Sequence, residues 1–186
     1  SYQTGFRSPS TQGLFIGLDL GVAKLVGGAP TNPGRFSADY DISVNGQAMG
    51  MPAAVTLTGD DAYTNSYSVS SVQAFAAAAA TGNIDPSILQ NSGADYVVPE
   101  EMVQLELGYR GKFLFDDHSV SSLIIDANVY KNDFKNFINT LTVVTPLYGQ
   151  VADGSAVAAI GNNDFDAWSV YTNADAEVAS WGTTIG

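Results

Sequence analysis

Met102-Val103-Gln104-Leu105-Glu106-Leu107-Gly108-Tyr109-Arg110-Gly111-Lys112-Phe113 alternates almost without a break. Leu105, Leu107, Tyr109, Gly111 and Phe113 fall on one side; Gln104, Glu106, Gly108, Arg110 and Lys112 fall on the other. A period of two belongs to a strand with one apolar and one polar face, because successive side chains leave a pleated backbone in opposite directions. The cluster Asp116-Asp117-His118-Ser119 then supplies a turn, and the alternation resumes. Leu123, Ile125, Ala127 and Val129 now oppose Ser122, Ile124, Asp126, Asn128 and Tyr130. Two amphipathic runs around a short polar turn predict an antiparallel hairpin over 102–131. A turn centred near His118 sets Leu107 opposite Val129, Tyr109 opposite Ala127 and Phe113 opposite Leu123, and on the other face Arg110 opposite Asp126.

Outward from this hairpin the signal weakens. The apolar, aromatic run Val129 to Val144 reads as a continuation of the second strand, closed by Pro146. Ala179, Trp181, Thr183 and Ile185 alternate with Ser180, Gly182 and Thr184, and Tyr2 to Phe6 reads as the end of a further strand. About four strands are expected in all. Between them lie two long insertions, 8–99 and 148–173. Within the first, Ser71 to Ala80 reads as a helix capped by Ser70 or Ser71, and Asp85-Pro86 opens a second short one. Ser155 to Ile160 is a brief helical candidate in the second insertion.

Composition excludes several functions. Seven Lys and Arg against 19 Asp and Glu give a net charge of −12, which argues against nucleic acid, since phosphate contacts need clustered cations. With no Cys, disulfide scaffolds, thiolate zinc sites and thiol nucleophiles are ruled out. Charged residues are only 14% of the chain and have given way to Gly, Ser, Thr and Asn, a balance suited to turn-rich β structure. No run of about 18 apolar residues predicts a membrane-spanning helix. No Met start or leader is visible at Ser1, so the chain reads as a processed protein or as part of a larger one.

No constellation of reactive side chains stands out. His118, the only histidine, sits beside Asp116 and Asp117 and reads as a solvated turn rather than a metal ligand or base. Asp39/Asp41, Asp60/Asp61 and Asp164/Asp166 are paired carboxylates; solvated acidic loops account for them, with a loop calcium site as the alternative. No serine lies in a nucleophile elbow, and neither Gly27-Gly28-Ala29-Pro30 nor Gly108-x-x-Gly111 has the context of a phosphate cradle. No catalytic, cofactor-binding or metal-ligating residues are therefore expected. Tyr63, Tyr67, Trp168 and Tyr171 lie in the insertions, where aromatics either stack on a ligand or partner or pack the loop layer on itself.

A strand of about 9–11 residues with lipid-facing apolar and lumen-facing polar side chains is the unit of an outer-membrane barrel, whose periplasmic turns are short and whose outer loops are long. A soluble β-sandwich alternates equally well but needs about seven short strands. The residues also carry a family resemblance. Gly5-Phe6-Arg7-Ser8-Pro9-Ser10-Thr11 resembles the "GFRxPT" segment of TonB-dependent outer-membrane receptors of the large Bacteroidetes type. Val98-Pro99-Glu100-Glu101 with Leu105 to Lys112 resembles their "xPExxxxxExGYRGxF" strand, and Ile125 to Ile138 resembles the "xDxxxYxNxYxxFI" strand that follows. The three occur in the family's order.

The expected fold class is thus all-β: a segment of a transmembrane antiparallel β-barrel with long extracellular loops containing short helices. Glu106, Arg110, Asp126 and Asn128 are expected to face the lumen. The chain is too short for the family's 22-stranded wall and shows no plug, so the remainder of the barrel and the plug are expected elsewhere. The resemblance implies import of a scarce or bulky nutrient across the outer membrane of a Gram-negative bacterium. It further implies a TonB-type coupling protein that draws on the inner-membrane proton gradient, outer-membrane lipid around the wall, and a surface lipoprotein as lid. A non-transporting scaffold or adhesive barrel is the alternative.

Overall fold

The computed structural model describes residues 1–21, 23–115, 122–174 and 178–186. The turn expected at 116–119, and with it His118, lies outside the described residues. The chain is mostly β, with eleven strands among the described residues: β1 (Tyr2–Arg7), β2 (Gly17–Asp19), β3 (Lys24–Val26), β4 (Ser37–Asp41), β5 (Ala54–Thr58), β6 (Tyr67–Ser68), β7 (Glu100–Leu114), β8 (Ser122–Lys135), β9 (Ile138–Pro146), β10 (Phe165–Asn173) and β11 (Val178–Ile185). Five short helices accompany them: α1 (Thr11–Phe15), α2 (Val44–Ala48), α3 (Gly59–Thr64), α4 (Val69–Ala80) and α5 (Val157–Gly161). The contacts divide the chain into two units, Ser1–Ser8 with Pro99–Phe137 and Ala174–Gly186, and Pro9–Val98 with Ile138–Asn173.

The first unit is one antiparallel sheet in the order β1-β7-β8-β11. The expected hairpin register holds at every position named: Leu107 pairs with Val129, Tyr109 with Ala127, Phe113 with Leu123 and Arg110 with Asp126. At 15 and 14 residues, β7 and β8 are far longer than the usual strand of about 5–6. The second strand does not run on to Val144. It ends at Lys135, Asn136 turns the chain with φ 56°, a left-handed value that asparagine tolerates, and β9 starts at Ile138 in another sheet.

The second unit revises the expectation of loop-like insertions and of about four strands. Its main sheet has the order β2-β3-β10-β9-β6, with β3 parallel to β10 and the other pairs antiparallel; β4 and β5 form a separate ribbon. Strands β2, β3 and β6 come from the first insertion and β10 from the second, so the two insertions complete one sheet between them. The segment 148–173, expected as a loop, ends in the nine-residue strand β10. Along it Trp168, Val170 and Thr172 are buried in alternation, facing Val26 and Val143 in a core that also takes in Ile42, Leu57, Ala62 and Tyr63. Helix α4 begins at Val69 rather than Ser71, because the Ser68 side chain accepts from Ser71 N and caps it one turn earlier. At Asp85-Pro86 only a single 3-10 turn forms, capped by the Asp85 carboxylate on Ser87 N.

A core shared by both insertions predicts coupled stability. Trp168→Ala, in the second insertion, removes a side chain with 0% exposure and should cost about 3–5 kcal/mol. Hydrogen exchange should rise in β4 and β5, which belong to the first insertion. Exchange confined to β9 and β10 would contradict a common core.

Candidate functional site

The register of the four-stranded sheet sorts its side chains into two unlike faces. On one face stand Tyr2 and Phe6 of β1; Val103, Leu105, Leu107, Tyr109 and Phe113 of β7; Leu123, Ile125, Ala127 and Val129 of β8; and Trp181 and Ile185 of β11. Most of these side chains are exposed to an extent unusual for their kind, Leu107 by 72%, Trp181 by 80% and Ile185 by 81%, while Val103, Ile125 and Ala127 are half-buried. Isolated exposed apolar residues are ordinary, but a contiguous sheet face of them marks an interaction surface. Toward one end of β8 the same face changes character, carrying Lys131, Asp133 and Lys135, with an ion pair of 2.8 Å between Lys131 and Asp133.

The opposite face carries Gln3, Gln104, Glu106, Arg110, Lys112, Asp126, Asn128, Asn132, Ser180 and Thr184, interrupted by the exposed Leu114 and Ile124 and by Met102, Tyr130 and Phe134. Glu106, Arg110, Asp126 and Asn128, named from the sequence as a set, do share this one face. Arg110 Nε lies 3.7 Å from Asp126 Oδ2, both side chains exposed, so the pair contributes little to stability. The Asn128 amide donates to the Glu106 carboxylate. At the far end of β1, Arg7 grips Glu100 through two bonds: Nε to Oε2 at 2.5 Å and Nη2 to Oε1 at 2.6 Å. The Glu100 carboxylate is almost wholly buried.

The aromatic residues singled out in the insertions are mostly core. Tyr63, Tyr67 and Trp168 are buried inside the second unit, in keeping with the alternative that these aromatics pack the layer on itself. Tyr63 donates to the Tyr171 carbonyl at 2.7 Å and stacks obliquely on Tyr96, while Trp168 meets Phe36 edge-on at 5.7 Å. Tyr171 is half-buried and its ring lies against Gly13. Sequence reasoning placed Trp168 and Tyr171 in a loop because it missed β10, whose Trp, Val, Tyr and Thr content was the available signal.

The paired carboxylates are separated in their roles instead of converging. Asp164 is buried and accepts from both the amide and the hydroxyl of Ser43, at 2.8 and 2.9 Å. Asp61 closes a capping box with Thr58 at the start of α3. Asp166 Oδ2 receives Lys24 Nζ at 2.8 Å and the Tyr40 hydroxyl at 2.6 Å, while the ammonium lies 5.0 Å from the centre of the Tyr40 ring. Among the described residues, no three acidic or histidine side chains converge as a metal ion would require. No family model, curated protein or solved structure matches the chain.

Burial, reinforced at Tyr40 by the Asp166 carboxylate, pushes the Tyr40 and Tyr63 hydroxyls above the ordinary phenol range. A raised native pKa means that the unfolded chain releases its proton first as pH rises. The associated stability is complete below about pH 10 and declines above it. The second unit should therefore lose stability steeply above about pH 10. Near-UV circular dichroism in denaturant titrations should show a shallower decline for the Tyr40→Phe, Tyr63→Phe double variant. An unchanged pH slope would contradict this assignment.

Proposed function

We propose that the four-stranded sheet is a piece of an outer-membrane β-barrel wall belonging to a TonB-dependent receptor, with its apolar face toward lipid and its polar face toward the lumen. The observation that carries the reading is the height and composition of the apolar face. From Val103 to Phe113 it spans ten residue steps, roughly 34 Å of strand at ~3.4 Å each. At the roughly 35–45° tilt of barrel strands this is a band roughly 25 Å tall, the height of the apolar belt of such barrels. On β8 the charges begin sooner, with Lys131 opposite Leu105 and Asp133 opposite Val103, so the band gives way to water over this end of the sheet, where the aromatic Trp181 stands beside Lys131 on the next strand. Glu106, Arg110, Asp126 and Asn128 line the lumen, where charge is cheap; an arginine at the bilayer midplane on the lipid face costs about 2–4 kcal/mol.

The three sequence motifs support the narrower reading of a receptor that imports a nutrient. In that reading the wall shapes the passage, a plug closes it, and a coupling protein drawing on the inner-membrane proton gradient moves the plug. The connection between β7 and β8 is short and therefore periplasmic, whereas the other connections pass through the second unit, which belongs outside the cell. There it is a folded platform with a core of its own, suited to holding fixed contacts to a nutrient or to a surface lipoprotein.

Arginine substitutions test the wall. Leu107→Arg, near mid-height of the lipid face, should destabilise the sheet folded in lipid vesicles by about 2–4 kcal/mol in urea titrations. Gln104→Arg, on the lumen face, should stay within about 0.5 kcal/mol of the parent. Equal effects at both positions, or a monodisperse folded monomer in plain buffer, would overturn the proposal.

A further inference from the structure

Strand β1 ends the sheet on one side, and its backbone shows which groups are left open. Ser1 and Glu106 exchange both their backbone hydrogen bonds, so Gln3, Gly5 and Arg7 are the residues bonded to β7. Tyr2, Thr4 and Phe6 consequently turn their N–H and C=O groups outward, toward an edge that no described strand pairs. Their side chains belong to the apolar face. If that face meets lipid, water cannot satisfy these outward groups, and another strand must. In this respect the inference rests on the wall reading.

The polar face beside the same edge has an anomaly. Met102 and Phe134 pair across β7 and β8, and with Phe137, Gly5, Arg7 and Glu100 they line an apolar notch of about 340 Å³, which Phe6 of the other face also borders at the sheet edge. The notch opens because residue 5 has no side chain: a Cβ there would meet only Met102 Cε, at an ordinary 3.7 Å. Two other glycines of this sheet are roofed by tyrosine, whereas at Gly108 a Cβ would meet only the Ala127 carbonyl, at 3.8 Å. A Cβ at Gly182 would collide with the ring of Tyr130, its partner across the ladder, and one at Gly111 with the ring of Tyr109. An aromatic ring laid over a strand glycine restores the contact area that the glycine lacks.

We propose that the β1 edge receives a further antiparallel strand that lays an aromatic side chain over Gly5, into the notch between Met102, Phe134 and Phe137. The residue opposite Gly5 would form a non-hydrogen-bonded pair with it, the closer of the two antiparallel spacings, which brings its ring directly above the glycine. The incoming strand carries apolar residues on the lipid side and its aromatic residue on the polar side. A second copy of the chain does not meet this description. On the required face β11 offers Val178, Ser180, Gly182 and Thr184, and β1 offers Gln3, Gly5 and Arg7, none of them aromatic.

The chain has no cysteine, so disulfide trapping gives a clean test. The full chain carrying Gln3→Cys is mixed, in detergent micelles, with a nine-residue peptide alternating threonine and valine, with tyrosine at the fifth place and cysteine at the seventh. With tyrosine over Gly5, the peptide cysteine falls opposite position 3, where facing Cα atoms at about 4.5 Å suit a disulfide. Trapping should exceed that of the same peptide with serine for tyrosine by at least tenfold. Gly5→Val, which fills the notch and favours strand, should abolish the preference, with Gly5→Ala intermediate. Equal trapping of the two peptides, no trapping, or a chain-to-chain disulfide in place of the peptide adduct would overturn the proposal. Selective trapping by a chain that fails to enter lipid vesicles would retain the strand seat and remove the wall reading.

Discussion

Fourteen consecutive residue pairs lock β7 to β8, and that ladder is the constraint from which the rest of the first unit follows. Because side chains alternate with a period of two, one fixed pair settles the face of every residue on both strands, and the neighbouring ladders carry the same parity to β1 and β11. A slip of one residue in the pairing would put Arg110 and Glu106 on the same face as Ala127 and Val129 of the partner strand. The separation of apolar from charged side chains thus selects the register, and the register in turn creates two surfaces that want different surroundings.

The second unit answers a different constraint. Neither insertion can bury its apolar residues alone: Val26 of β3 needs Val170 and Trp168 of β10, and Val143 and Val144 need the elements around Tyr63 and Tyr67. The parallel pairing of β3 with β10 joins segments more than 140 residues apart, as Trp168 opposite Lys24 shows. Buried polar groups reinforce the join, with Asp164 holding Ser43 and Asp166 gathering Lys24 and Tyr40. Segments with such cross-links present preformed surfaces, which lowers the ordering cost of any contact they make.

How much of this was legible depended on the range of the interactions. The hairpin register could be read from Leu105 to Val129 because strict alternation and a short turn are local signals. The helix at Val69–Ala80 was legible from its alanine run, though its start was misplaced by two residues because serines at 68, 70 and 71 can all cap. Strands β2, β3 and β6 have only two or three residues each, too short to display a period, and they exist because β10 pairs with β3, β3 with β2, and β9 with β6. For Tyr63, Tyr67 and Trp168 the sequence left stacking on a ligand and packing of the layer on itself both open, since a buried ring in a long-range core and an exposed ring in a loop look alike in sequence. Asp61, Asp164 and Asp166 resembled solvated pairs because their partners Thr58, Ser43, Lys24 and Tyr40 become visible only in the fold.

The central claim, that the apolar sheet face lies against lipid, is most directly tested by tryptophan fluorescence of the unmodified chain reconstituted with phospholipids brominated at defined depths. The two tryptophans separate the answer: Trp168 has no exposure in the core of the second unit, while Trp181 stands on the apolar face near its charged rim. The account predicts that bromines close to the headgroup quench Trp181 strongly, that bromines deep in the chain quench it less, and that aqueous acrylamide has little effect. Free quenching by acrylamide with no response to brominated lipid at any depth would contradict it.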